Sequence, residues 1–254
     1  MLSHRVQGHV KLVEELCRRR CSVSVFDQGG LTPLHLAASL GLTEITEILL
    51  DNRADIDGVT VATGETALHL ATAGAHAATV KLLLERGAAV NKATNEGKTC
   101  LMVAARSGHL EIAGLLVRAG ARRGAADIRG NTALLIHCNS LSVSCAMLDL
   151  LASNTVIDSV NWDGWWPLLA IVSGEINKCR KNAKIASIYS ITGNHHNKCE
   201  AVSCLLRAGA DVGVVTGLGC SALHTALHYN IPDVAALLVR AGADVTLPDL
   251  LGHR

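Results

Sequence analysis

The chain has 254 residues, 49% hydrophobic and 18% charged, with 23 basic against 22 acidic residues and a formal net charge of +1. That balance gives no long-range field toward nucleic acid or a membrane surface, and no apolar run reaches the roughly 18 residues of a membrane-spanning helix. Nine cysteines at irregular spacing make a poor disulfide framework, and no N-x-Ser/Thr sequon occurs; reduced thiols and a cytoplasmic or nuclear location are expected.

Residues 1–20 have the pattern of an amphipathic helix without the apolar h-region of a signal peptide. Within them GHVKLVEELCRRR (8–20) matches GHLEIAGLLVRAG (108–120), so residues 1–29 read as a partial unit. Six similar segments follow. GLTPLHLAA begins at Gly30, GETALHLAT at Gly64, GKTCLMVAA at Gly97, GNTALLIHC at Gly130, GWWPLLAIV at Gly164 and GCSALHTAL at Gly219. The first five starts are 34, 33, 33 and 34 residues apart, and a second apolar helix pattern such as EIAGLLVRAGA follows each of the six. Thr32, Thr66, Thr99 and Thr132 stand where a first helix should begin, where a hydroxyl satisfies an orphan backbone N–H. Gly87, Gly120, Gly209 and Gly242 follow the second helices, where positive φ is needed.

A period near 33 headed by T-P-L-H resembles the ankyrin repeat, over nearly the whole chain. The resemblance implies an all-α fold, an α-solenoid of stacked helix pairs with β-hairpin fingers between them. One pair cannot bury both its faces, but a stack buries a continuous core. Residues 1–254 are expected to form a single array, with a further unit opening at Gly252 and more repeats or domains in a longer chain. The resemblance also implies that His35, His69 and His224 brace neighbouring units by hydrogen bonding; no carboxylate or Cys recurs at a fixed offset to make them catalytic or metal-ligating.

The fifth full unit departs from the pattern. All three tryptophans fall within NWDGWWPLL (161–169), and Trp166 takes the place of the threonine cap. From Trp166 to Ser221 is 55 residues and not 33, an excess assigned to a basic insertion, 176–198, between the two helices. Two accounts of the tryptophans stand side by side: local repair of a flank exposed by the insertion, or an anchor for a partner. Trp166, at the helix start, is expected to pack, and it counts as structural together with Thr32, His35, Thr66, His69, Thr99, Thr132 and His224. The candidate partner-binding residues are Trp162, Trp165, Asp163, Arg129, Asn95, Lys92 and Tyr229. Cys179, His195, His196 and Cys199 are weak zinc candidates, because C-x15-H-H-x2-C lacks a clamp spacing; a solvated basic loop is the preferred reading. Apolar fingertips at Val59, Val61, Val214, Val215, Leu218, Leu247, Leu250 and Leu251 call for a cover, from a partner or from each other.

No phosphate loop, nucleophile motif or paired acid and base occurs. The expected function is therefore non-catalytic and needs no cofactor: a scaffold, adaptor or inhibitor that binds another protein through a concave surface of fingers and first helices. The alternative is a substrate-recognition or regulatory region of a larger enzyme, such as a ubiquitin-ligase subunit or kinase. Nucleic-acid binding through the basic insertion is disfavoured by the near-zero net charge.

Overall fold

The computed structural model describes residues 2–140, 143–153, 156–173, 195–216 and 219–247. These hold thirteen helices: α1 (Leu2–Arg18), α2 (Pro33–Ser39), α3 (Thr43–Asp51), α4 (Ala67–Ala73), α5 (Ala77–Glu85), α6 (Cys100–Ser107), α7 (Leu110–Arg118), α8 (Ala133–Cys138), α9 (Cys145–Leu151), α10 (Pro167–Ser173), α11 (His195–Arg207), α12 (Ala222–His228) and α13 (Pro232–Arg240). The chain divides into two compact units, Met1–Ala104 with Glu111–Arg122, and Ala105–Leu110 with Arg123–Arg254.

In the first unit α2 packs on α3 and α4, α3 on α5, and α4 on α5, so first helices form one layer and second helices another. Helix α1 packs on α3, in the layer of second helices. The second unit repeats the scheme: α8 meets α9 and α10, α9 meets α11, and α12 meets α10 and α13. Helix α10 lies against α8, α11 and α12, and all seven of its residues are buried. Its composition, PLLAIVS, suits a helix enclosed on every side.

The first helices are short, six to eight residues, and isolated helices of that length are unstable in water. Their ends are accordingly well satisfied. Thr32, Thr66 and Ser221 each accept the backbone N–H of a histidine three residues on, while that histidine's ring nitrogen engages the cap in return. This is the reciprocal geometry of a capping box, with His in place of Glu. Thr132 accepts from Leu135 and Thr99 from Met102.

Each unit's opening glycine, Gly30, Gly64, Gly97, Gly130, Gly164 and Gly219, has positive φ, as do Gly87, Gly120, Gly209 and Gly242 after the second helices. Arg20 and Arg53 hold the same left-handed backbone after α1 and α3, and Ala75 and Asn230 hold it between paired helices. The fingers are closed by isolated antiparallel bridges, Val59 with Thr66, Ala93 with Thr99, Ala126 with Thr132 and Val215 with Ser221.

Helix α11 starts at His195, so residues 195–198 of the segment read as an insertion are helical; 176–194 lie outside the described residues.

Candidate partner-binding site

The fingers share one device that holds their tips. A single side-chain oxygen, at Asp27, Thr60, Thr94, Asp127, Asn161 or Thr216, lies three or four residues before the opening glycine. It accepts a backbone N–H from the returning strand, as Asp127 Oδ1 does from Asn131 at 2.9 Å and Thr94 Oγ1 from Lys98 at 3.2 Å. The backbone N–H of the same residue donates back across the turn, and the glycine N–H donates to its carbonyl. These Asx- and Ser/Thr-type closures replace a longer strand ladder.

In the second unit Asn161 makes the tryptophan finger rigid. Its Oδ1 accepts the N–H of Trp165 at 2.9 Å and of Asp163 at 3.1 Å. Its Nδ2 donates to Asn131 Oδ1 at 2.8 Å, and Asn131 in turn donates to Asp127 Oδ2 at 3.0 Å. The Trp162 N–H donates to the Arg129 carbonyl at 3.1 Å, tying the tryptophan finger to the one before it. The same inter-finger bond recurs in the first unit, from Val61 to Gly30 and from Asn95 to Thr63.

Trp162 is 82% exposed, and its indole lies where a Cβ on Gly130 would sit. Ile128, at the equivalent place on the preceding finger, is 63% exposed; Val160 and Val215 are partly exposed. Arg129 and Asp163 are exposed beside them, whereas Trp165 and Trp166 are half-buried. The second unit thus brings Arg129, Trp162, Asp163 and Trp165 together on adjacent fingers. Tyr229 lies apart, at the C-cap of α12, edge-on to His228.

In the first unit Asn95 is exposed at a fingertip, held by its bond to the Thr63 carbonyl. Lys92 is half-buried and donates to the Asp57 carbonyl at 2.6 Å, bracing a neighbouring turn. Phe26, Val59 and Val61 are exposed at fingertips of the same unit. Val214 is buried rather than exposed, because it alternates with Val215 along the finger. Leu218, Leu250 and Leu251 lie outside the described residues.

Phe26, Ile128 and Val160 escape a reading of the sequence that seeks tryptophans and paired valines. Their signal is position: Phe26 and Val160 precede the closing oxygen residue, and Ile128 follows it.

The histidines are committed to structure. His35 joins Thr32 Oγ1 at 2.8 Å to the Gly58 carbonyl at 3.0 Å, and His69 joins Thr66 to the Lys98 carbonyl at 3.1 Å. His224 engages Ser221 at 2.9 Å. His137, outside the T-x-x-H pattern, links the Ala105 carbonyl to the Ser144 N–H. Burial lowers the pKa of His35, His69 and His137 despite their carbonyl partners, so these rings are neutral and both nitrogens are engaged. Burial raises the thiols of Cys100 and Cys138 far above their ordinary range. Neither group is suited to general base or nucleophilic work.

Of the zinc candidates, Cys179 and the side chains of His195 and His196 lie outside what is described, and Cys199 is half-buried on α11. Among the described residues no group of three His, Cys, Asp or Glu could hold a metal ion, and no helix is long and apolar enough to cross a membrane.

Family models of ankyrin repeats match residues 16–71, 52–127 and 218–250. The ankyrin repeat and KH domain-containing protein mask of Drosophila melanogaster is 42% identical over 85 residues, 33% of this chain and 2% of that protein. The human ankyrin repeat and SOCS box protein 3 is 35% identical over 92 residues, 35% of this chain and 18% of that protein. The chain therefore spans a small part of these curated relatives. Among solved structures, the ankyrin repeat domain of Bcl-3 superposes with a TM-score of 0.70 at 25% identity, covering 89% of this chain and 92% of that one. An ankyrin repeat domain from Acinetobacter baumannii AYE gives 0.70 at 27% identity, covering 84% and 98%. Repeat matches, repeat spacing and helix-pair packing agree: this chain belongs to the ankyrin repeat family.

Proposed function

We propose that this chain is a non-catalytic protein-binding module, a scaffold, adaptor or inhibitor, and that its main contact is the tryptophan finger of the second unit. Ankyrin repeats are protein–protein interaction modules, which sets the class. The observation that carries the finer reading is Trp162, 82% exposed on a finger tied by two hydrogen bonds to the finger before it. A rigid, exposed indole beside Ile128 loses little conformational freedom on binding and contributes a large apolar contact. Arg129 and Asp163 flank it and supply polar contacts of both signs. The unbroken spacing from Gly64 to Gly164 supports one continuous array. Reduced thiols support a cytoplasmic or nuclear location.

Capture with the folded chain, identification of the retained protein and titration of that protein against Trp162→Ala test this reading. Loss of affinity with unchanged folding supports it; unchanged affinity refutes it. The SOCS box in a relative's name favours a second reading, a substrate-recognition region within a longer enzyme assembly. Under that reading the captured protein is modified in the presence of the full-length chain and is unmodified without it.

A further inference from the structure

The tryptophan finger lies in the stretch of chain between two cysteines, Cys145 and Cys204. Cys145 is the first residue of α9, and Cys204 lies in the last turn of α11; the two helices pack together. The Cys204 thiol is a close neighbour of Cys145 and acts on its ionisation. Cys204 is 3% exposed, whereas Cys145 is half-buried and reachable from solvent. Arg207, one turn on from Cys204, donates from Nη2 to its Sγ at 3.1 Å. Both cysteines are reduced.

The thiolate is the form that attacks a disulfide, and Arg207 brings a positive charge to the Cys204 sulfur. On Cys145, burial first, then the neighbouring Cys204 thiol and the carboxylates Glu200 and Asp149, lift the thiol to about 11. Cys145 is accordingly slow to react in the resting state, and the buried, Arg-backed Cys204 is placed to complete any reaction that begins there.

From this arrangement we propose that Cys145 and Cys204 form a reversible disulfide, with Cys145 the entry thiol and Cys204 the resolving thiol, when the chain meets a small-molecule disulfide such as oxidised glutathione. Cys145 loses its proton to solvent and attacks one sulfur of glutathione disulfide. The glutathione S–S bond breaks, one glutathione thiolate leaves, and a mixed disulfide remains on Cys145. Cys204 then gives up its proton to solvent and attacks the Cys145 sulfur, and the second glutathione leaves as a thiolate. The protein is oxidised by two electrons, and glutathione disulfide is reduced to two thiols. The new bond joins α9 to α11 and closes a loop that contains the Trp162 finger and α10. The second helices of two successive repeats are thereby cross-linked, which holds the frame of the finger against local opening.

The test incubates the folded chain with glutathione disulfide, quenches with an alkylating agent and counts free thiols. Non-reducing digestion with chymotrypsin and a glutamyl endopeptidase separates Cys145 from Cys138 and Cys204 from Cys199. The expected result is a peptide linked through Cys145 and Cys204, with amide exchange slowed in α9 and α11. Cys145→Ser should abolish the link, and Cys204→Ala should leave glutathione attached to Cys145. If Cys204→Ala fails to fold, Cys145→Ser at its half-buried position carries the test. A link between other cysteines, a wild-type adduct that persists on Cys145 without resolving, or no loss of these two thiols would overturn the proposal.

Discussion

Replacing Gly130 with alanine perturbs the finger site at one atom. Gly130 has φ +77°, so any side chain there carries the strain of left-handed backbone, about 1–2 kcal/mol. Restricting the unfolded chain returns roughly 0.4–1 kcal/mol of this. The added Cβ also meets the Trp162 indole, which must swing away. With 82% of Trp162 exposed, about a fifth of its surface is in contact. For a side chain of about 200 Å² that is some 40 Å², or about 1 kcal/mol at 25 cal/mol per Å². Gly130→Ala should therefore destabilise by about 2 kcal/mol, and by about 1 kcal/mol in a Trp162→Ala background. The 3.1 Å approach of residue 162's backbone nitrogen is common to both. Gly120→Ala gives the backbone contribution separately, since at φ +90° its Cβ meets no described atom within 4 Å. Urea unfolding of the four cycle members, read by circular dichroism, measures the coupling. A coupling of zero would mean that the indole does not rest on Gly130, and the rigid-finger argument would fail.

Three further outcomes follow from the same geometry. The pKa of His35, His69 and His137 is lowered by burial, so the unfolded chain binds more protons between those values and about 6.5. Stability should be full above pH 6.5 and fall as the pH drops below it, by at most about 1.4 kcal/mol per pH unit per ring. Urea midpoints at pH 7.5 and 5.5 check this, and a flat profile would contradict neutral buried rings. His69→Ala removes bonds to Thr66 and the Lys98 carbonyl and should lower stability by about 2–3 kcal/mol in denaturant titration; a change below 0.5 kcal/mol would show that the ring does not brace the fingers. Ala75→Gly should stabilise by about 0.5 kcal/mol, because Ala75 holds φ +59° at an exposed position where Gly41 and Gly108 stand in other repeats. A less stable glycine variant would refute the strain argument.

Helix starts and ends were legible because each depends on one residue with one physical job. Thr66 caps α4 and Gly87 turns the chain after α5, and both recur at the repeat period. The all-α fold followed, since amphipathic pairs repeated every 33 residues have few other ways to bury their faces. The tryptophans were harder to sort. Their exposure depends on register against Asn161: Trp162 follows it and points outward, while Trp165 and Trp166 lie where the strand returns to the helix. Asn161 itself was passed over, although its counterparts Asp27, Thr60, Thr94, Asp127 and Thr216 recur at nearly constant offset. Lys92 illustrates a different limit. A lysine near a fingertip reads as a free charge, and only the fold brings the Asp57 carbonyl within 2.6 Å. The Cys145 and Cys204 pair was invisible for the same reason, being distant in the chain and joined only where α9 packs on α11.

The most direct measurement is the affinity of the captured protein for three forms of the chain by isothermal titration calorimetry: wild type, Trp162→Ala, and Lys81→Ala on the exposed face of α5. A hot-spot indole is worth 2 kcal/mol or more, so Trp162→Ala should weaken binding about thirty-fold or beyond, with Lys81→Ala within about two-fold of wild type. Equal affinity of the wild-type and Trp162→Ala forms would contradict the claim that this finger is where the partner docks.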